Sequence, residues 1–476
     1  MLFNSFEFFI FFITFFCLYW KVFKQLKAQN ILILVSSFFF YAWWDWRFLF
    51  LLSFSILLDY ITGVKMCGAT NISIKKRWLW LSISINLGFL GFFKYYNFFI
   101  SSFADLLAQF GLNPNIHTLK IILPVGISFY TFHGLSYVID IYKGRIKAEK
   151  NLVDYAVFVS FFPLLVAGPI ERATHLLPQI KRERIFDLNQ AKDGLKQILW
   201  GLFKKIAIAD TCAEYVNAIF NQPGEFSGIS LALGAVFFAF QIYGDFSGYT
   251  DIAIGTAKLL GIELLKNFSF PYFSRSIAEF WRRWHISLSS WFKDYIYIPL
   301  GGSKNGMSDT IRNTFIIFLV SGFWHGANFT FIAWGFLHAL YIVPSVLLKT
   351  NRHYLDIVAQ NKKLPNLKEF FQLISTFSLV CFAWIFFRAE SIEKAFEYIQ
   401  LLFTKSWIAL DKSHLKIIIL LCIFILIEWI QRRQEIVLKL NIKSKFLRYS
   451  VYYFVFIAIW FFISKNQKTD FIYFAF

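Results

Sequence analysis

Long apolar stretches recur along almost the whole chain and are separated by short polar segments. A helix that crosses the hydrocarbon core of a bilayer needs about 20 predominantly apolar residues. The apolar stretches that predict membrane-spanning helices are 3–20, 31–45, 47–62, 78–100, 119–142, 195–213, 229–256, 311–323, 327–348, 367–387, 414–431 and 447–464.

Two further apolar stretches, 152–166 and 276–300, are interrupted by proline, glycine or charged residues. Such segments are typical of re-entrant or interfacial structure, because irregular backbone at membrane depth is tolerated only against protein or a cavity. The pattern predicts an all-α polytopic membrane protein with about 11–13 transmembrane helices and re-entrant segments around a central buried cavity. No tandem repeat or long linker appears, so we expect one membrane domain over 1–476.

Basic residues follow alternate predicted spans. These residues are Lys21, Lys24 and Lys27 after the first span, Lys75, Lys76 and Arg77 after the third, and Lys143, Arg145 and Lys147 after the fifth. Loops rich in Lys and Arg stay in the cytoplasm. We therefore expect a multi-pass membrane protein with its N-terminus outside the cytoplasm. The C-terminus is expected there too if the stretches 152–166 and 276–300 both return to the cytoplasmic side. The charged segment 172–196 is expected to form a cytoplasmic pair of amphipathic helices.

The composition agrees with a lipid bilayer as the surroundings of the protein. The chain is 57% hydrophobic and 21% aromatic, which would leave a water-soluble protein with large exposed apolar patches. The net charge of +19 follows from basic loops, so no nucleic-acid partner is expected. The five cysteines are scattered singly, and this spacing favours neither a disulfide framework nor a metal site.

The clearest candidate for chemistry is His325, in the run Trp324-His325-Gly326 between two apolar stretches. Ionisable residues at membrane depth are costly and usually functional. The preceding stretch, 311–323, is about 20 Å long as a helix and too short to span a hydrocarbon core of about 30 Å. Gly322 and Gly326 would permit a break that leaves the histidine at membrane depth. The structural alternative is a histidine hydrogen-bonded to a carbonyl group. Trp324 and Asn328 beside it favour a substrate-binding surface.

A second candidate lies in the segment from Glu279 to Ser289, where charged and aromatic residues alternate. A continuous helix would place Trp281, His285 and Ser289 on one face. His285 is a candidate catalytic residue that would reach the same buried cavity as the first histidine. We expect substrate contacts from Trp281, Trp284, Arg282 and Arg283. The alternative is a membrane-surface helix with arginines that extend to the lipid headgroups.

Two other polar interruptions are interpreted as structural. Asp245 and Asp251 lie in an otherwise apolar run and need partners, which we expect among the arginines of 275–283. Their spacing does not place them on one helical face, so a paired-carboxylate catalytic site is disfavoured. The segment 162–172 contains two prolines and a glycine and predicts a break in the chain.

The residues described above, together with several blocks elsewhere, resemble the membrane-bound O-acyltransferase (MBOAT) superfamily. The resemblance is greatest to the bacterial alginate O-acetyltransferase membrane subunit and the peptidoglycan O-acetyltransferases. It rests on the blocks 124–132, 167–172, 241–251, 274–277, 280–289, 294–302, 324–327 and 386–389. His133 stands where relatives are expected to have Gln, and Ala475 replaces a usually polar residue.

The resemblance implies that His325 is catalytic and that His285 is a second functional residue on the same reaction path. It implies transfer of an acetyl group from cytoplasmic acetyl-CoA, with no bound cofactor and no metal. The acceptor would be a hydroxyl at the outer face, either on an extracytoplasmic glycan or on a periplasmic acetyltransferase partner protein that passes the acetyl group on. The resemblance also implies the bacterial cytoplasmic membrane as the location, so the outer face would be periplasmic. Two alternatives stay open. One is transfer of D-alanine to teichoic acid, and the other is a transporter or flippase in which the histidines line a pore.

Overall fold

The computed structural model describes residues 1–112, 119, 121–408, 411–440, 442–463 and 471–472. In this part of the chain the regular structure is helical throughout. The α-helices are α1 Phe6–Cys17, α2 Leu26–Ala42, α3 Phe48–Gly68, α4 Ile72–Leu90, α5 Tyr96–Gln109, α6 Ile127–Tyr142, α7 Leu152–Ser160, α8 Phe162–Leu165, α9 Ala173–Ile180, α10 Leu188–Phe203, α11 Asp210–Asn221, α12 Gly228–Leu259, α13 Ile277–Arg283, α14 Ile286–Phe292, α15 Met307–His325, α16 Phe329–Leu347, α17 Leu367–Arg388, α18 Ile392–Thr404, α19 Leu415–Gln431 and α20 Lys445–Ile463.

Wider π-helical turns interrupt the helices at Leu18–Val22, Gly91–Tyr95, Lys204–Ala209 and Lys293–Tyr297. Such turns add a residue to the helical repeat and are frequent at functional sites. Six helices in the described residues are long and apolar enough to cross a membrane: α3, α12, α16, α17, α19 with the turn that precedes it, and α20. An all-α polytopic membrane fold is therefore confirmed.

The other predicted spans correspond to shorter, interrupted or more polar helices. The apolar run 78–100 is divided by a π-helical turn between α4 and α5, and the run 195–213 is divided in the same way between α10 and α11. Residues 173–180 and 188–203 form the helix pair expected in the charged segment. Helix α18 was not predicted, because its apolar positions form only one stripe of a short amphipathic helix.

Close packing divides the chain into two compact units. Unit 1 consists of residues 1–191 and 256–265, and unit 2 consists of residues 192–255 and 266–476. The expectation of one membrane domain over 1–476 stays a prediction.

A buried polar cluster joins three helices of unit 1. The Asp59 carboxylate on α3 accepts hydrogen bonds from the Ser82 hydroxyl at 2.6 Å and the Asn86 amide at 2.8 Å, both on α4. Gly134 on α6 lies so close that a Cβ atom there would overlap with Asp59. The glycine thus permits α6 to pack against α3 at the level of this cluster.

In unit 2 the helices α15 and α16 form a tightly packed hairpin. A Cβ atom at Gly322 on α15 would lie 2.2 Å from the Phe331 carbonyl oxygen, and one at Gly335 on α16 would lie 2.3 Å from the Phe318 carbonyl oxygen. These two glycines therefore let the backbones approach closely, as small residues do in membrane helix pairs. The connection between the helices carries His325.

Candidate active site

His325 is the last residue of α15, and the helix ends at Gly326 in extended backbone. The helix begins at Met307, four residues before the predicted apolar stretch, so it has 19 residues, or roughly 28 Å at 1.5 Å per residue. It is not among the six helices of the described residues that are long and apolar enough to cross a membrane, and the depth of His325 stays a prediction. Gly322 does not break the helix but packs against α16. The position of His325 therefore follows from the end of a regular helix.

His285 occupies a different kind of backbone. It lies between α13 and α14 with φ 43° and ψ 53°, in the left-handed region. A continuous helix with Trp281, His285 and Ser289 on one face is therefore not formed, and that prediction is wrong. A residue with a side chain in this conformation costs about 1–3 kcal/mol and persists only where its surroundings enforce it. Such strain is concentrated at functional sites.

The two histidines lie together inside unit 2. Their ring centroids are 6.5 Å apart, and both side chains are buried. Neither ring nitrogen of His285 has a hydrogen-bond partner in the described part of the chain. Buried polar atoms are nearly always hydrogen-bonded, so two orphaned nitrogens on one buried ring need an explanation. A substrate that bonds to this ring would supply the missing partners of both nitrogens.

Aromatic side chains enclose the pair. Trp324 has ring centroids 4.9 Å from His325 and 6.0 Å from His285. Phe246 meets His285 edge to face at 4.7 Å. Trp334 lies 5.1 Å from His325. Trp284 packs against Trp384 at 5.3 Å and against Phe268 at 5.0 Å. The sequence-predicted tryptophans thus divide into Trp324, which contacts both histidines, and Trp284, which supports the surrounding core.

A third histidine, which the sequence interpretation did not select, adjoins this pair. His338 on α16 is buried, and its Nδ1 accepts a hydrogen bond from the Trp281 indole Nε1 at 3.2 Å. Because Nδ1 is the acceptor, the ring is the neutral tautomer with its proton on Nε2. The Trp334 ring lies between the two histidines of α15 and α16, with centroids 5.0 Å from His338. The rule that flagged the other histidines, an ionisable residue in an apolar span, applies to His338 too.

A cavity of about 620 Å³ extends along the same hairpin of unit 2. Trp281 and Ser289 line it from α13 and α14, and Phe318 and Ser321 line it from α15. Ser321 lies one helical turn before His325 on the same helix. The cavity therefore reaches close to the catalytic candidate, and its largely apolar wall with a few polar groups is typical of a small-molecule site.

The predicted arginines fix the loop that closes one side of this cavity. The Arg282 guanidinium donates to the carbonyl oxygens of Asn351 and Tyr354, both at 2.7 Å. Arg283 pairs with Glu279 at 2.8 Å and donates to the Asp356 carbonyl oxygen. Arg282 also lines the cavity, whereas Arg283 does not appear among the lining residues. The two arginines are thus held by protein groups rather than freely extended toward lipid.

The same loop is held by an ion pair with Arg275. The Arg275 guanidinium lies 2.8 Å from the Asp356 carboxylate. This hydrogen bond holds the pKa of the Asp356 carboxyl below its ordinary value. The carboxylate is therefore ionised at neutral pH, and the pair fastens the loop between α16 and α17.

Asn328 caps a helix. Its side-chain oxygen accepts the Thr330 N–H at 3.0 Å, and its amide donates to the Glu390 carbonyl oxygen at 2.8 Å. Asparagine is a preferred N-cap because it satisfies one of the free N–H groups of the first turn. Both ends of this amide are engaged by the backbone, so its substrate-binding role stays a prediction.

Asp245 and Asp251 are held by lysines, so the prediction of arginine partners is wrong. The Lys204 ammonium lies 2.6 Å from Asp251, and the Lys205 ammonium lies 2.9 Å from Asp245 and 2.8 Å from Asp210. The two lysines begin the π-helical turn Lys204–Ala209. Both aspartates have ion-pair partners, as the structural interpretation required. The partners lie in the apolar run 195–213, which was predicted only as a spanning helix.

One of the two departures from the expected family pattern lies in unit 1, and the other lies outside the described residues. His133 is buried in unit 1, and its Nε2 accepts the Glu171 N–H at 3.1 Å. It therefore supports the Pro169 turn of the predicted break rather than lining the cavity of unit 2. Ala475 lies outside the described residues.

Comparison with known proteins agrees with this arrangement. Residues 145–353 match the model of the membrane-bound O-acyltransferase family. A probable alginate O-acetylase of Pseudomonas putida is 42% identical over 78% of this chain and 73% of its own length. A peptidoglycan O-acetyltransferase of Helicobacter pylori is 36% identical over 77% of this chain and 72% of its own. A teichoic acid D-alanyltransferase of Bacillus subtilis is 29% identical over 56% of this chain and 69% of its own.

The matched region contains His285, His325 and most of the cavity wall. The long relatives cover more than two thirds of both chains at over 30% identity. Taken with the apolar helices, these similarities show that the chain belongs to the membrane-bound O-acyltransferase family and is a multi-pass membrane O-acyltransferase.

Proposed function

We propose that this protein transfers an acetyl group from cytoplasmic acetyl-CoA to hydroxyl groups of an extracytoplasmic polysaccharide, either an alginate-like exopolysaccharide or peptidoglycan. The observation that carries the proposal is the buried pair of His285 and His325, 6.5 Å apart within an aromatic wall. The names of the two long relatives, an alginate O-acetylase and a peptidoglycan O-acetyltransferase, support acetyl as the acyl group.

The proposed mechanism uses His325 as general base. A hydroxyl is a weak nucleophile at neutral pH and needs a positioned base, and histidine is the side chain most often used for this purpose. His325 takes the proton of the acceptor hydroxyl as its oxygen bonds to the thioester carbonyl carbon. The carbon–sulfur bond then breaks. His285 positions the thioester, and the proton taken up by His325 passes by way of His285 to the departing CoA sulfur, so that CoA leaves as the thiol and both rings end the cycle neutral.

The aromatic wall suits this chemistry. Water that reached the thioester would hydrolyse it, and closed apolar sites prevent such side reactions. Trp324 contacts both histidines, and Trp281 connects the cavity with the interior through its contacts with Trp334 and His338. In this proposal the acetyl-bearing arm of the donor enters along the cavity wall of Trp281, Arg282 and Ser321.

The proposal includes the bacterial cytoplasmic membrane, termini on the periplasmic side and a periplasmic acetyltransferase partner that passes the acetyl group to the glycan. The basic loops after alternate spans support this orientation. Asn328, Trp284 and Arg283 remain proposed substrate-side residues, although their visible contacts are with the protein itself.

The test is release of ester-linked acyl groups by mild base from separated exopolysaccharide and peptidoglycan. Cells with the wild-type protein are compared with cells that express His325→Ala at the same membrane level. Loss of acetate from one fraction in the variant supports the proposal and identifies the glycan. His353→Ala is the matched control, because this histidine lies in the exposed loop after α16 and should not affect acetylation.

Other outcomes would overturn the proposal. Loss of D-alanine instead of acetate would favour the activity named for the Bacillus relative. No change in either ester would mean that His325 is not the base. Substrate flux in vesicles without covalent transfer would then favour the transporter alternative.

A further inference from the structure

The left-handed turn that carries His285 is held on one side by one buried residue, Asn267. Asn267 lies in the segment that follows α12 and is completely buried. Its backbone carbonyl oxygen accepts the Ile286 N–H at 2.9 Å. Its side-chain oxygen accepts the Ser287 hydroxyl at 2.5 Å and faces the Ser287 N–H at 3.4 Å. These bonds engage both residues that follow His285.

A second contact fixes the residues before the histidine. The Ser269 N–H donates to the Arg283 carbonyl oxygen at 3.0 Å, so the segment 267–269 runs alongside both ends of the turn. The two contacts lie on either side of Trp284 and His285. The left-handed backbone of His285 is therefore enforced by the neighbouring segment 267–269. Strained backbone persists only where the surrounding structure enforces it in this way.

We propose that Asn267 is a positioning residue for the acyl-transfer reaction, and that it acts by holding the His285 turn through Ser287. This inference rests on the proposed function. Without the Asn267 side-chain oxygen, the first turn of α14 keeps only the backbone bond to Ile286 on this side, and His285 can relax toward ordinary helical backbone. Relaxation would rotate the ring away from Phe246 and the other histidine, which it now meets at 4.7 Å and 6.5 Å.

The effect on catalysis follows from geometry. Because a displacement of about 1 Å can cost on the order of 100-fold in rate, we expect Asn267→Ala and Asn267→Leu to lower kcat by roughly 10- to 100-fold with little change in KM. Ser287→Ala removes the other partner of the 2.5 Å bond and should lower kcat in the same direction. Ser375→Ala is the matched control, because it is the same change in another helix of unit 2, where the Ser375 hydroxyl donates to the Gln372 carbonyl oxygen of its own helix.

The decisive experiment combines these changes with His285→Ala in full-length protein. If Asn267 acts through His285, then Asn267→Ala adds no further loss of acetyl transfer to His285→Ala. A residue needed only for folding would add its full loss of activity and would lower the amount of protein in the membrane. That additive result would overturn the proposal, as would a wild-type kcat in both Asn267→Ala and Asn267→Leu.

A labelling measurement separates this proposal from the proposed function. Diethyl pyrocarbonate modifies accessible imidazole rings, and mass spectrometry reports the modification of each histidine. We expect His285 to react faster in Asn267→Ala and Ser287→Ala than in wild type, with unchanged reaction of His353. If labelling rises but His325→Ala retains acetyl transfer, the turn is held as proposed and the assignment of His325 as general base is wrong. Unchanged labelling of His285 in both variants would overturn the positioning role itself.

Discussion

Unit 2 contains two clusters of buried ionisable residues that differ in whether their polar atoms have partners within the protein. Around Lys204 and Lys205, each ammonium group faces a carboxylate within 2.6–2.9 Å. Aromatic rings surround His285 and His325. Neither ring nitrogen of His285 has a hydrogen-bond partner in the described part of the chain. Buried ions require partners to be stable, whereas a neutral imidazole can be buried without one at a smaller cost.

The difference separates a structural site from a candidate reactive site. The lysine network is closed, because its donors and acceptors are matched within the protein. The histidine pair is open, because the polar atoms of His285 are available for a substrate. Removal of a histidine should therefore affect chemistry with little effect on stability, and removal of a lysine should do the reverse.

The largest expected effect is on catalysis by the histidine pair. His325→Ala should lower acetyl transfer by about 100- to 10,000-fold, the usual contribution of a general base. Its thermal stability in detergent should change far less than its activity, because a single substitution usually costs about 0.5–3 kcal/mol of stability. The measurement is ester-linked acetate per unit of membrane protein. Equal losses of activity and of folded protein would contradict the distinction between the two groups.

The next effect is on stability. Lys205→Met leaves Asp210 and Asp245 buried without their shared cation, which should cost about 3–5 kcal/mol. We expect a large fall in membrane abundance and thermal stability. Lys266→Met is the control, since Lys266 pairs with Glu435 at the surface, where such pairs contribute about 0–1 kcal/mol. If the Lys205→Met protein had normal stability but no activity, the lysine network would have to be assigned to the reactive site instead.

A smaller effect is expected at the hydrogen bond between Trp281 and His338. Trp281→Phe keeps an aromatic ring but leaves the buried Nδ1 of His338 without its donor, a loss of about 1–3 kcal/mol. If His338 helps to order the wall around His325, acetyl transfer should fall while abundance changes little. Phe280→Leu, on the same helix, is a control for altered packing. A response in stability alone would make the bond purely structural.

The smallest effect should come from Asn328. Asn328→Ala removes the N-cap of α16 and should cost about 0.5–2 kcal/mol of stability. Asn366→Ala removes the cap of α17 and provides a reference for the same loss outside the site. Equal destabilisation with unchanged KM for the donor in both variants would assign Asn328 to capping. A raised KM in Asn328→Ala alone would support the predicted substrate contact.

Much of the fold follows from local pattern. Apolar stretches locate α3, α12, α16, α17, α19 and α20 to within a few residues. The same pattern underestimated α15, because its first turn is polar, and it did not indicate α18, whose apolar stripe is narrow. Hydropathy detects helices that are apolar throughout, so polar ends and one-sided helices escape it.

The candidate site was only partly predictable for a related reason. His285 and His325 stand out in sequence because ionisable groups are rare in apolar runs. His338 satisfies the same rule, but its hydrogen-bond partner Trp281 lies 57 positions away in the sequence. Their contact therefore could not be predicted from local pattern. Asp245 and Asp251 clearly needed partners, but which cations would reach them depended on the packing of α10 and α12.

The sequence by itself determined that the chain is helical and membrane-embedded and that it carries histidines within apolar runs, because burial preference is a property of local sequence. The tertiary structure decided that His285 adopts left-handed backbone, that Asn267 bonds to the two residues after that histidine, and that lysines rather than arginines neutralise the buried aspartates. Those outcomes depend on which distant segments approach within hydrogen-bonding distance, and hydropathy and spacing carry no information about that approach.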